Sequence, residues 1–158
     1  MTFSTFAGIS FREVSVLLYS AHMEETIFDK IIRREIPADI VYEDDETLAF
    51  LDINPVNPGH TLVVPKRFAR NLLDADEAIL AAVMQTAQKV AHAIKESLGA
   101  DGINIGINNE SAAGQVVFHF HVHVIPRFSD DGLRHWPGRP YASGEAAATA
   151  EKIRAKLA

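Results

Sequence analysis

Three histidines alternate with apolar residues in one stretch, His119-Phe120-His121-Val122-His123-Val124-Ile125. A β-strand sends successive side chains to opposite faces. The segment therefore predicts a strand with three imidazoles on one face and Phe120, Val122 and Val124 on the other. A helix would scatter the rings around its circumference. In a strand the apolar side can anchor in a core while the imidazoles line a shared pocket. Imidazole serves near neutral pH as nucleophile, general acid or base, or metal ligand. A lone strand histidine is usually structural or merely exposed, but three in register on a β-branched and aromatic background are harder to explain as decoration. The rival chemistry is a metal site, because three imidazoles form a familiar zinc set.

The flanking segments predict the rest of the fold. Residues 24–35 read as a short helix, with Ile27, Phe28, Ile31 and Ile32 on one face and Pro37 as its stop. Strands are expected at 40–43 and 48–53, joined by the acidic turn Asp44-Asp45-Glu46, a solvated hairpin loop. Asn54-Pro55-Val56-Asn57-Pro58-Gly59 is a dense turn signal, and His60 heads the run Thr61-Leu62-Val63-Val64-Pro65. The longest helix is expected at 76–98, with an apolar stripe from Ile79 to Leu98, a capping box of Asp74 with Glu77, and Gly99 as its stop. His92 falls on that helix as an exposed residue without chemistry. A strand at 103–107, a polar loop at 108–114 and the triad strand at 116–127 follow. A loop carrying Trp136 then leads to a terminal helix at 146–157. Strands separated by helices, but joined early by a hairpin, predict an α+β domain with a mainly antiparallel sheet.

The 158 residues fit one domain over 23–158, with a tail from about 128, after a variable extension at 1–22. Within that extension the apolar patch at 14–19 adjoins Glu13 and is too short for a secretory signal, and Met23 offers an alternative start. No apolar run approaches the roughly 20 residues of a membrane span, and a cytoplasmic location is the expectation. A net charge of −6 argues against coating nucleic acid but leaves room for a small anion held by local donors. The chain has no cysteine, which excludes disulfides, thiolate catalysis and cysteine-ligated zinc.

Gly114-Gln115-Val116 lies just before the triad. A glycine there lets the backbone approach a ligand, and successive N–H groups can cradle anionic oxygens; a simple loop glycine is the plainer alternative. The run from Gly114 to Arg127 resembles the signature of the histidine triad (HIT) family, His-φ-His-φ-His-φ-φ with φ apolar. The resemblance extends upstream to Thr26-Ile27-Phe28-Asp29-Lys30-Ile31-Ile32, to Asp52-Ile53-Asn54-Pro55 and to Gly59-His60-Thr61-Leu62-Val63-Val64-Pro65-Lys66, which are similar to the Hint-type nucleotide-binding branch. It covers about residues 24–137.

The resemblance implies a five-stranded mainly antiparallel sheet with one long and one short helix and a C-terminal helical tail. It also implies a homodimer with the long helix at its interface. It implies hydrolysis or transfer at the α-phosphate of a purine nucleotide through a covalent nucleotidyl-histidine, with no cofactor, no catalytic metal and no nucleic-acid or membrane partner. By position, His121 is the nucleophile, His119 supports it through its backbone carbonyl, His123 contacts phosphate or leaving group, and His60 joins the relay. Asn108 faces the scissile bond, and the backbone at Gly114, Gln115 and Val116 binds phosphate oxygens. Ile27, Phe28, Ile31, Phe50 and Ile53 wall the base, and Asp52 accepts from the ribose hydroxyls. Plain core is the alternative for Phe28 and Ile31, and a turn cap is the alternative for Asp52.

Two departures stand out. Many bacterial members carry a Cys-x-x-Cys pair for structural zinc where this chain has Thr26 and Asp29, so that zinc is not expected. Hint-type proteins usually carry a serine where this chain has Val116, which bears on the leaving group. His135-Trp136-Pro137 and Asn108 fit a nucleoside phosphoramidase, with Trp136 either a specificity element or a packed aromatic. A dinucleoside polyphosphate hydrolase and a nucleotide-binding scaffold with little turnover are the other readings.

Overall fold

The computed structural model describes residues 25–134 and 136–157. The extension at 1–22, its apolar patch, Met23, Glu24 and His135 lie outside the described residues. The chain forms two compact units, one ending at Phe128 and the other beginning at Ser129.

In the first unit α1 (Ile27–Ile32) is shorter than the predicted helix. Thr26 Oγ1 accepts from the Asp29 amide while Asp29 Oδ2 accepts from the Thr26 amide at 2.8 Å, a reciprocal box that fixes the helix start. Strands β1 (Ile40–Glu43) and β2 (Thr47–Leu51) form the expected hairpin. Asp44 Oδ1 closes its turn by accepting from the Thr47 amide at 2.7 Å and the Thr47 hydroxyl at 2.9 Å. Then come β3 (Thr61–Pro65), α2 (Glu77–Leu98), β4 (Gly102–Gly106), a 3₁₀ turn (Ser111–Ala113) and β5 (Val122–Arg127). The sheet runs β1-β2-β3-β5-β4 with every neighbouring pair antiparallel, so the α+β expectation is met.

Both faces of the sheet are covered. Ala49, Val63, Val122 and Val124 pack under Val83, Ala87, Val90 and Ile94 of α2. The alternate residues Leu48, Phe50, Leu62 and Val64 pack with Phe28 and Ile31 of α1. That is why β2 and β3 read as unbroken apolar runs rather than alternating ones. Each fully buried Leu or Val contributes about 1.5–3 kcal/mol relative to exposure.

Two expectations about element ends are corrected. The cap of α2 is Asp76, which accepts from the Ile79 amide at 3.0 Å, not Asp74, which accepts from the Arg70 amide at 2.9 Å. The Arg67 guanidinium holds both Asp76 oxygens, at 2.6 and 2.8 Å, and so selects that carboxylate. The triad strand starts at Val122, not 116. The ladder pairs Leu62 with His123 and Val63 with Val122, and the next pairs would bring in Val64 and Pro65. Pro65 has no N–H to give, and its carbonyl takes the His119 ring at 2.9 Å, so the ladder ends there.

In the second unit α3 (Glu145–Leu157) has no buried residue, and its first carboxylate accepts from the Ala142 amide at 2.8 Å. Trp136 is 97% exposed. No helix among the described residues is long and apolar enough to cross a membrane.

Candidate active site

The loop after β4 is tied down by one side chain. Gln115 Oε1 accepts from the Glu110 amide at 2.9 Å, and its Nε2 donates to the Arg70 carbonyl at 2.8 Å and the Val117 carbonyl at 3.1 Å. Gln115 therefore faces the interior. The amides of Gly114 and Gln115 are also engaged within the loop, on Ser111 O and Glu110 O. The expected three-residue anion cradle is corrected accordingly: among these three, the Val116 amide is the one not so engaged, and its side chain is exposed. Gly114 has φ +88°, a left-handed conformation that closes the 3₁₀ turn and favours glycine. Asn108 lies close by, its Nδ2 3.8 Å from where a Cβ on Gly114 would stand.

The three triad rings do not share one pocket, because the backbone takes up strand geometry only at Val122. His119 is fully buried. Its Nε2–H donates to the Pro65 carbonyl, its Nδ1 lies 3.4 Å from both Thr26 Oγ1 and Asp29 Oδ1, and Phe28 and Phe68 meet the ring edge-on. His121, His123 and His60 form one contiguous group of rings. His121 and His123 have ring centroids 5.0 Å apart, and those of His123 and His60 are 5.1 Å apart.

Hydrogen-bond partners assign the tautomers. His121 Nδ1 lies 2.7 Å from the His119 carbonyl, which can only accept. The proton is therefore on Nδ1, and Nε2 presents a lone pair. The Val56 amide donates to His60 Nδ1 at 3.3 Å, whereas Asp52 Oδ2 is 3.7 Å from that nitrogen, too far for a hydrogen bond. His60 consequently carries its proton on Nε2 and donates it to His123 Nδ1 at 3.0 Å. His123 is left with an N–H on Nε2. One ring offers an electron pair and its neighbour a proton.

Burial lowers the pKa of all four imidazoles. For His123 burial acts first and neighbouring His121 and His60 add to it, bringing it to about 4 despite Asp52. The Asp52 carboxylate partly opposes burial at His60, and the His119 carbonyl does so at His121. Burial tends to raise Asp29, but the Thr26 hydrogen bonds, His119 and Arg33 outweigh it and lower that carboxylate.

The remaining expected residues divide. Phe28, Ile31 and Phe50 are core residues, though the Phe28 ring also stands edge-on to His121 at 5.2 Å. Ile27 and Ile53 are exposed, at 45% and 87%. Asp52 Oδ1 caps the Asn54 amide at 2.8 Å, while Oδ2 faces His60. The zinc rival built on His119, His121 and His123 is overturned, because their nitrogens point to separate partners. Among the described residues the donors close enough for one ion are Asp52, His60 and His123. Three contributors were missed in the sequence: Val56, which fixes a tautomer through its backbone, Pro65, and the Thr26–Asp29 box against His119. Only the last had a local signal, a Thr and an Asp three residues apart ahead of an apolar run.

The HIT domain model matches residues 33–130. An uncharacterised HIT-like protein of Borreliella burgdorferi is 48% identical over 70% of this chain and 81% of its own. The adenylylsulfatase HINT3 of Arabidopsis thaliana is 40% identical over 72% of this chain and 58% of its own. The crystal structure of a hypothetical histidine triad nucleotide-binding protein from Sulfolobus tokodaii is 40% identical, with TM-score 0.63, covering 80% of this chain and 87% of that one.

Proposed function

Because this chain belongs to the HIT domain family, we propose that it binds a purine nucleotide and hydrolyses or transfers its nucleotidyl group at the α-phosphate, acting as a nucleoside phosphoramidase. The observation that carries this reading is the 2.7 Å bond from His121 Nδ1–H to the His119 carbonyl, which leaves Nε2 unprotonated. A nucleotide-binding relative and an adenylylsulfatase agree with the substrate class.

In the first step Nε2 bonds to phosphorus and the bond from phosphorus to the leaving nitrogen breaks. The His60–His123 pair, having taken up one further proton from solvent, delivers it from His123 Nε2 to the leaving nitrogen, so that His123 returns to a neutral imidazole. In the second step water bonds to phosphorus, gives its proton back to His123, and the bond to His121 breaks. Burial suits both roles. A nucleophile whose pKa is lowered needs no deprotonation at neutral pH, and a donor held by His60 keeps its proton on the nitrogen facing the substrate. The Val116 amide, not engaged within the loop as those of Gly114 and Gln115 are, is the backbone donor of the glycine loop offered to a phosphate oxygen. Ile27, Ile53 and the edge of Phe28 offer the base an apolar wall, and Asp52 Oδ2 offers the ribose an acceptor.

We also assign a second copy of the chain to the face made by α2 and the β1–β2 hairpin. An apolar cavity of about 390 Å³ there is lined by Val41, Leu51, Pro58, Ala93, Ile94 and Leu98. Light scattering should give a dimer, and Leu98→Glu should shift it towards monomer; a monomeric wild type would remove this assignment.

The catalytic reading is tested by brief reaction with adenosine phosphoramidate, a mild quench and intact mass. A nucleotidyl adduct on His121 is expected. Parallel kinetics on guanosine phosphoramidate, adenylyl sulfate and diadenosine polyphosphate rank the leaving groups. Turnover with no adduct at any quench time would remove the covalent step.

A further inference from the structure

Asp52, His60 and His123 hold more ligating capacity than the proposed reaction uses. One donor atom from each lies within 4.8 Å of the other two. Asp52 Oδ1 is engaged by the Asn54 amide, but Oδ2 lies 3.7 Å from His60 Nδ1, beyond hydrogen-bonding distance. The His60 and His123 nitrogens face each other at 3.0 Å with their rings inclined at 40°. In a tetrahedral site with zinc–nitrogen bonds of about 2.0–2.1 Å, neighbouring ligand atoms stand roughly 3.3 Å apart. A modest tilt of two rings therefore converts a proton-bridged pair into a metal-bridged one.

We infer that Asp52, His60 and His123 form an inhibitory site for a borderline divalent cation such as Zn²⁺, in which the ion takes the place of the proton on His60 Nε2 and that proton moves to Nδ1, giving up the 3.3 Å bond from the Val56 amide. Two imidazoles and one carboxylate with an open fourth position suit zinc, whereas a site for Mg²⁺ or Ca²⁺ would call for mostly oxygen donors. Burial keeps both rings neutral near pH 7, so the proton on His60 Nε2 is the one the ion must displace. Asp52 supplies the negative charge that a dication needs. Once bound, the ion occupies the relay. His123 is then held by the metal instead of by His60 and no longer delivers a proton to the leaving group. Zinc and turnover become mutually exclusive. This consequence rests on the catalytic reading above; the binding site itself does not.

The test uses the full chain, stripped with chelator and titrated with Co²⁺ as a visible probe, then with Zn²⁺ in competition. One equivalent of Co²⁺ should develop d–d bands that Zn²⁺ abolishes. His60→Ala and Asp52→Asn should each weaken Zn²⁺ binding by at least about tenfold. His92→Gln, in an exposed residue of α2, and His121→Ala should bind as the wild type does. Should a ligand variant fail to fold, nitrogen NMR of the wild-type imidazoles decides: Zn²⁺ should shift the ring nitrogens of His60 and His123 and leave His119 unmoved. Binding that survives both ligand variants, or that follows His92 or His121, overturns the site. Co²⁺ bands that follow Asp52 and His60 in a protein inert towards every nucleotide would sustain the site and sink the catalytic reading. Absent bands with intact turnover would do the reverse.

Discussion

Residues 119–121 and the strand Val122–Arg127 share one alternating histidine motif, yet only the second is a strand. The difference comes from the partner. In β5 each residue from Val122 to Val124 has an opposite number on β3. Two residues earlier, opposite Phe120, the partner would be Pro65, which cannot donate, and the chain turns into the interior. His119 then becomes an internal tie between Pro65 and the start of α1, while His123 pairs with His60 in a largely buried hydrogen bond. One motif yields a structural histidine at one end and a chemical one at the other, with His121 between them drawing on both.

The comparison breaks most sharply at His121. His121→Ala should lower kcat by at least ~10⁴-fold while leaving the fold intact, measured by steady-state kinetics beside circular dichroism. Substantial residual turnover would count against a nucleophile at this position. The two outer rings should then separate by the kind of damage they cause. His123→Ala is expected to cut kcat by about 10²–10⁴-fold, with a loss of stability near 1 kcal/mol. His119→Ala leaves a cavity and an unpaired Pro65 carbonyl, and should cost about 2–4 kcal/mol in urea unfolding. Equal stability losses for the two would erase the distinction.

Acid sharpens the contrast next. Unfolded histidines take up protons near pH 6.5, whereas the buried ones resist until lower pH, His123 until about 4. Below pH 6.5 the unfolded state therefore binds more protons, and stability falls as the pH drops; above 6.5 the contribution is fully present. The acid limb of kcat/KM should accordingly lie below 6.5, and a limb at or above that value would contradict neutral rings. The smallest effect is expected at Thr26→Val, which removes the α1 cap and should cost about 1 kcal/mol, read from thermal unfolding.

The sequence is most readable where local pattern and long-range partner agree. The stripe from Ile79 to Ile94, the stop at Gly99 and the hairpin turn at Asp44 are all decided within a few residues, and the structure has them where the pattern puts them. It is least readable where two local solutions are equally good. Asp74 and Asp76 can both cap a helix, and only Arg67, nine residues from Asp76, decides between them. Nothing near Gln115 announces that its amide will face Arg70 and Glu110 rather than a ligand. For the candidate site, alternation revealed the histidines but not their division of labour, because that follows from the missing N–H of a proline more than fifty residues away.

The ring of hydrogen bonds around Gln115 has a thermodynamic corollary. A loop already frozen by its own contacts gives up little conformational freedom when an anion settles on the Val116 amide. On the proposed function, recognition there would be rigid docking, and the entropy loss would fall on the nucleotide rather than on the protein.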